Sequence, residues 1–194
     1  MGTSLWLVPP SDIADKLERI MKFKTPSYKS PASFPHFHPH ITLTTVPSNT
    51  PLEDLRKVVP VDQADIPVTF KVVEVGEKYF MSVYVTVHQN GSLGELREHL
   101  KNTLGEKTVP PKSHISLFYI DDPDSEERNK VFDELVQQQR IVELGEGKVG
   151  LNCSEIPDKN LEEIVSGFKG TEIWIAVCEG PVETWEIKDK IVLQ

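Results

Sequence analysis

Cysteine is scarce in this sequence: 194 residues contain two, Cys153 and Cys178, with no CxxC spacing. Neither a zinc ribbon nor a disulfide framework is signalled, and two free buried thiols are expected. Long apolar runs are missing as well. None approaches the ~20 residues that a membrane span needs, and Met1 to Pro10 has neither the basic start nor the cleavage region of a secretory signal. The expected setting is therefore cytoplasmic, with no membrane span. Positive charge is also in short supply, since 21 Lys and Arg stand against 30 Asp and Glu for a net charge of −9. Proteins that grip long polyanions gather Lys and Arg, so a nonspecific polyanion binder is disfavoured, whereas a small anionic ligand is not. The 38% hydrophobic and 26% charged fractions describe an ordinary globular chain, long enough to bury a substantial core as one domain or two small lobes.

What the sequence does have is a short pattern used twice. His40-Ile41-Thr42-Leu43 and His114-Ile115-Ser116-Leu117 each place a histidine, an apolar residue, a hydroxyl residue and another apolar residue in order, 74 residues apart. In an extended strand alternate side chains share a face, so His40 and Thr42 point one way while Ile41 and Leu43 point the other. His114 and Ser116 divide from Ile115 and Leu117 in the same manner.

The surroundings of the two motifs correspond. Ser4 to Val8 reads as a strand closed by Pro9-Pro10, followed by a helix with Ser11 as N-cap and Ile13, Leu17, Ile20 and Met21 on one face. After a Pro-, Ser- and His-rich loop from Thr25 to Pro39 comes the strand His40 to Val46. Thr50-Pro51-Leu52-Glu53 then reads as a capping box that opens a short helix with Leu52, Leu55 and Val59 inward. Strands Ile66 to Val75 and Tyr79 to Val87 flank Gly76-Glu77-Lys78 as a hairpin. Ser92 to Glu95 is a second capping box, leading a helix with Leu93, Leu96 and Leu100 inward. The second histidine strand, His114 to Ile120, precedes a helix from Asp124 to Gln138 with Val131, Phe132 and Leu135 inward. Ile141 to Cys153, Glu172 to Cys178 and Val182 to Leu193 are β-rich, and Ser154 to Gly170 reads as a polar loop. Strand, helix, histidine strand, helix and strand thus occur twice. The hairpin and the terminal strands favour an α+β architecture of two antiparallel or mixed sheets with outer helices, placing the histidine strands on facing surfaces.

Two facing His-x-Ser/Thr units suit a phosphodiester. One neutral imidazole can take a proton from water while the other, protonated, gives one to the departing oxygen, and a pKa of ~6.5 serves both roles. The Thr42 and Ser116 hydroxyls can donate to the non-bridging phosphate oxygens. No metal and no cofactor is required by this chemistry.

The doubled motif at this separation resembles the two-histidine phosphoesterase superfamily. Ser4-Leu5-Trp6-Leu7-Val8-Pro9-Pro10, Val75-Gly76-Glu77-Lys78-Tyr79-Phe80 and Gly180-Pro181-Val182-Glu183-Thr184-Trp185-Glu186 are similar to the small fungal and plant 2′,3′-cyclic nucleotide phosphodiesterases within it. The resemblance spans essentially the whole chain. It implies a single bilobal, pseudo-two-fold symmetric domain over residues 1–194, divided near residue 76, around a central cleft. It further implies hydrolysis of nucleoside 2′,3′-cyclic phosphates to the 2′-phosphate and of the cyclic phosphate of ADP-ribose, a by-product of tRNA splicing. By the same resemblance His114 is the general base and His40 the general acid. A small cyclic nucleotide substrate, a monomer, and no polymeric nucleic acid follow as expectations, and association with the Golgi or other endomembranes stays open.

Trp6, Tyr79 or Phe80, and Tyr119 are candidates to line the cleft. Tyr119 lies five residues after His114, on the opposite face of an ideal strand, so it reaches the site only if a bulge or strand end intervenes. Lys112 could add positive potential, with a solvated side chain as the plainer reading. His36-Phe37-His38-Pro39-His40 invites a zinc reading. Pro39, the lack of nearby Cys or carboxylate, and a second motif left without a role weigh against it, so no metal ligand is assigned. His36 and His38 are then exposed loop residues, and His88 and His99 ordinary surface residues. The competing functions are a 2′-5′ RNA or RNA-end phosphoesterase of the same superfamily and a non-catalytic nucleotide-binding module.

Overall fold

The computed structural model describes residues 2–156 and 163–194. In chain order its elements are β1 (Gly2–Val8), α1 (Ser11–Met21), β2 (Ile41–Val46), α2 (Leu52–Lys57), β3 (Ile66–Lys78), β4 (Met81–Val87), α3 (Gly91–Leu104) and β5 (His114–Phe118). They continue as α4 (Ser125–Gln137), β6 (Ile141–Gly145), β7 (Lys148–Asn152), β8 (Ile164–Val165), β9 (Gly167–Gly170), β10 (Glu172–Cys178) and β11 (Glu186–Val192). Eight strands form one antiparallel sheet in the order β11-β10-β1-β2-β5-β4-β3-β9, and β6-β7-β8 form a second. This is the expected α+β class.

Strand alternation decides which face becomes core. Leu5 and Leu7 of β1, Ile41 and Leu43 of β2, and Ile115 and Leu117 of β5 are fully buried on one face, and each contributes about 1.5–3 kcal/mol of burial. Leu17 and Ile20 of α1, Leu55 of α2, Leu93, Leu96 and Leu100 of α3, and Val131 and Leu135 of α4 join the same cluster, so the helices cover that face. Ser4, Trp6, Thr42 and Ser116 take the other face and line a cleft there.

The histidine strands do not belong to two separate sheets. They are neighbours at the middle of the larger one, joined by a single residue pair, Ile41 with Ile115. On one side lie β11, β10, β1 and β2, and on the other β9, β3, β4 and β5, each side in matching order. These sides do not follow a cut near residue 76, because the C-terminal β10 and β11 complete the side that contains β1.

Both histidine strands carry a bulge at the same place. The β1–β2 register passes from Trp6 opposite Thr42 to Leu5 opposite Thr44, skipping Leu43. Likewise β4–β5 passes from Tyr84 opposite Ser116 to Val83 opposite Phe118, skipping Leu117. An extra residue reverses the alternation that follows. Leu43 and Thr44, and equally Leu117 and Phe118, are consecutive buried residues, and Thr45 and Tyr119 return to the cleft.

Local signals fared less well at element ends. None of Ser11, Thr50 and Ser92 makes a side-chain cap; Pro10, Pro51 and Asn90 occupy the cap positions. The Asp124 carboxylate, in place of capping α4, accepts from the Lys29 and Ser30 amides and the Ser33 hydroxyl, each at 2.8 Å, and ties down the Pro-rich loop. Leu52 is exposed and not inward. The supposed polar loop contains β8 and β9, while its residues 157–162 lie outside the described residues. The hairpin turn falls on Tyr79-Phe80, because β3 runs on to Lys78 through a register shift after Val75. Gly76 permits this: a Cβ there would stand 2.2 Å from the Met81 carbonyl oxygen, a backbone atom that cannot swing aside. Gly76→Ala should therefore destabilise the fold by about 1–3 kcal/mol, read as a lower urea midpoint, and an unchanged midpoint would contradict this packing.

Candidate active site

The pairing of Ile41 with Ile115 builds the centre of the site. In antiparallel register the residue before one pairs with the residue after the other, so His40 falls beside Ser116 and Thr42 beside His114. All four line a cleft of about 300 Å³, with Ser4, Trp6, Thr45, Phe80, Pro110, Tyr119, Cys178 and Trp185 among its other walls. No Lys, Arg, Asp or Glu is part of that lining among the described residues.

The two imidazoles are held by the same device. His40 Nδ1 lies 2.7 Å from the His38 carbonyl oxygen, and His114 Nδ1 lies 3.1 Å from that of Lys112. A carbonyl only accepts, so Nδ1 carries the hydrogen in both rings. Nε2 of each is the free nitrogen, without a protein partner among the described residues. It can accept a proton, or donate one when the ring is charged.

Their surroundings differ. His40 is buried and stacks on Trp6 with ring centroids 3.7 Å apart and planes 12° apart. Burial, with the neighbouring His38 and His114 adding to it, pushes its pKa down to about 3, against the opposing pull of the His38 carbonyl. His114 is half-buried and meets Tyr84 edge-on at 5.1 Å. Its pKa is also lowered, first by burial and then by the charges of Lys112 and Arg97; the Lys112 carbonyl and Glu74 work the other way. Trp6 and Tyr84 hold corresponding positions, opposite Thr42 and Ser116 on the neighbouring strand.

The hydroxyls differ too. Thr42 has no protein hydrogen-bond partner among the described residues, whereas Ser116 donates to the Phe80 carbonyl at 2.6 Å. Tyr119 reaches the cleft through its bulge, stacked on Phe37 at 3.9 Å with 9° between planes, and its phenol contacts Ser116. Burial raises the Tyr119 pKa and keeps it a neutral donor.

Several expectations are corrected by the packing. Tyr79 does not line the cleft. The turn at Tyr79-Phe80 sends Phe80 inward, and the Tyr79 hydroxyl donates to the Ala32 carbonyl at 2.8 Å, clamping the loop that precedes His40. Lys112 is neither cleft-lining nor simply solvated, for it pairs with Glu74 at 2.7 Å. His38 is not an exposed loop residue; it stacks on Trp174 at 4.5 Å and, with His36, faces Glu18 at 3.6–3.7 Å. Two of the imidazoles, His36 and His38, thus share the Glu18 carboxylate, a neighbour that the sequence did not reveal, while His40 turns away to Trp6, so the three do not converge on one point. His88 and His99 bond to the Gly147 and Val58 carbonyls, each at 3.0 Å.

Sequence reasoning missed Ser4, Thr45 and Cys178. Ser4 and Thr45 share a 2.9 Å hydroxyl contact at one end of the cleft. Thr45 had a usable signal, since it stands five residues after His40 as Tyr119 stands after His114. Cys153 and Cys178 are free and buried.

Comparison with known proteins fits this geometry. Residues 1–193 match the family model described as cyclic phosphodiesterase-like protein. A 2′,3′-cyclic-nucleotide 3′-phosphodiesterase of Kluyveromyces lactis is 25% identical over 219 residues, covering 100% of this chain and 99% of the relative. The solved structure of TT0787 of Thermus thermophilus superposes with a TM-score of 0.54 at 13% identity, covering 100% of this chain and 98% of that one, which is a likeness of fold. No helix among the described residues is long and apolar enough to cross a membrane.

A buried neutral histidine leaves a pH signature. His40 takes up a proton near pH 6.5 when unfolded but near pH 3 when folded, so between those values the unfolded chain binds more protons. Stability should therefore be full above about pH 6.5 and fall as the pH drops toward 3. Urea unfolding of wild type and His40→Gln at pH 7 and pH 4.5 checks this. The variant should lose less stability over the interval, and equal losses would show that His40 is not the buried neutral group.

Proposed function

The chain belongs to the cyclic phosphodiesterase-like family, and on that premise we propose that it hydrolyses nucleoside 2′,3′-cyclic phosphates to nucleoside 2′-phosphates by two-histidine acid/base catalysis. The observation that carries this reading is the pair of imidazoles with Nδ1 fixed by a carbonyl and Nε2 free toward one cleft. In the proposed step, Nε2 of His114 takes a proton from water as the water oxygen bonds to phosphorus. The phosphorus–O3′ bond breaks, and Nε2 of protonated His40 gives its proton to O3′. The half-buried ring is the one assigned to the attacking water, and the buried ring, neutral when no anion lies beside it, takes up its proton as the anionic substrate enters next to the Trp6 face. Thr42, Ser116 and Tyr119 supply hydroxyls for the non-bridging oxygens, Ser116 by turning from the Phe80 carbonyl.

The regiochemistry follows the name of the Kluyveromyces lactis relative, a 3′-phosphodiesterase. ADP-ribose 1″,2″-cyclic phosphate, opened to the 1″-phosphate, is the second proposed substrate and would connect the enzyme to tRNA-splicing by-products in the cytoplasm. One unit formed from both sides of the sheet, acting as a monomer on small nucleotides, accords with a cleft that offers no basic track among the described residues. Since no charged residue lines it, an entering phosphate finds its nearest counter-charge in an imidazolium. Anion binding is then coupled to proton uptake.

His40→Ala and His114→Ala should each cut kcat on a 2′,3′-cyclic nucleotide by about 10² or more, and Thr42→Ala by about 10² to 10³, with activity retained in EDTA. Near-wild-type turnover by either folded histidine variant, or loss in EDTA restored by zinc, would overturn the mechanism. Calorimetry should show nucleoside 2′-phosphate binding with proton uptake at pH 7, its affinity weakening as the pH rises.

A further inference from the structure

A buried charge without a counter-ion stands behind the second histidine. Arg97, on α3, is 3% exposed. One of its terminal nitrogens donates to the Pro110 carbonyl, and the other is buried with no partner among the described residues. Among the described residues it forms no ion pair, and its sequence neighbour Glu98 is exposed. Burying a guanidinium in this state is costly, and the other buried positions of α3 are leucines. What the position adjoins is the site: Pro110 lines the cleft, and two residues later the Lys112 carbonyl holds His114 Nδ1.

We propose that Arg97 is a positioning residue whose charge, held behind the Pro110–Lys112 segment, is the fixed counter-charge for the phosphate bound in the cleft. The inference rests on the reading that the cleft takes a phosphate ester. The groups that act on His114 are Lys112 and Arg97 on the positive side, Glu74 on the negative side, the Tyr84 ring and the imidazole of His40. Lys112 is already balanced by Glu74 at 2.7 Å, which leaves Arg97 as the charge among these that a substrate would complete. In the empty cleft the guanidinium favours neutral His114, the form a general base requires. With phosphate bound, the two charges offset each other across the segment.

Arg97→Gln and Arg97→Lys test this. Gln keeps a donor for the Pro110 carbonyl and removes the charge, whereas Lys keeps the charge and removes the planar fork. Arg97→Gln should weaken nucleoside 2′-phosphate binding about tenfold, raise KM more than it lowers kcat, and move the acidic limb of the kcat/KM profile to higher pH. Arg97→Lys should recover most of the affinity. A folded Arg97→Gln with wild-type affinity and an unmoved limb, even with a lower Tm, would show a merely structural residue and overturn the proposal. If Arg97→Gln does not fold, tenfold weaker binding by folded Arg97→Lys overturns it equally. Wild type that neither binds the 2′-phosphate nor opens the cyclic nucleotide would instead defeat the functional reading itself.

Discussion

Among the described residues, the contact between Ile41 and Ile115 is the one backbone pairing that joins the two sides of the eight-stranded sheet. Both residues are fully buried, and each sits between the histidine and the hydroxyl of its own motif. Hydrophobic burial behind the sheet thereby fixes polar geometry in front of it, because strand alternation ties the two faces together. Past that point β2 and β5 no longer pair, and the side chains of the polar face line the cleft. A slip of one residue in either strand would put both a histidine and a hydroxyl into the apolar core.

Approximate two-fold symmetry supplies two equivalent imidazoles, yet the proposed acid and base roles call for two that behave differently. The difference comes from the adjoining strands. Trp6 offers its face to His40, while Tyr84 offers its edge to His114 within a group that includes Glu74 and Lys112. One ring is buried and stacked, and the other is half-buried and acted on by nearby charges. The hydroxyls follow suit, Thr42 unengaged among the described residues and Ser116 held by the Phe80 carbonyl. The site is thus symmetric in backbone and asymmetric in side-chain environment.

The loop before the first motif shows how much scaffold a small site uses. Asp124 receives the Lys29 and Ser30 amides and the Ser33 hydroxyl, Tyr79 bonds to the Ala32 carbonyl, and Phe37 stacks on Tyr119. Together they fix the segment whose His38 carbonyl sets the tautomer of His40. Side chains that sequence reasoning assigned to helix capping or to substrate instead hold the backbone from which the His40 ring is oriented.

The α+β class, most strands, the inward faces of α1, α3 and α4, and the four polar residues of the doubled motif were legible in the order of residues. Each depends on periodicity or on spacing within a few positions. The bulges after Leu43 and Leu117, the turn at Tyr79-Phe80 and the placement of β10 and β11 beside β1 were not. They depend on which backbones approach one another, as where the Met81 carbonyl closes on Gly76. By itself the sequence determined which groups could do the chemistry, since alternation alone puts His40 with Thr42 and His114 with Ser116. Only the tertiary structure decided that the two pairs share one cleft, that Tyr119 enters it and Tyr79 does not, and that one imidazole is buried on an indole while the other is half-buried beside a tyrosine edge. Those outcomes are set by contacts between residues distant in the chain, and no local pattern encodes them.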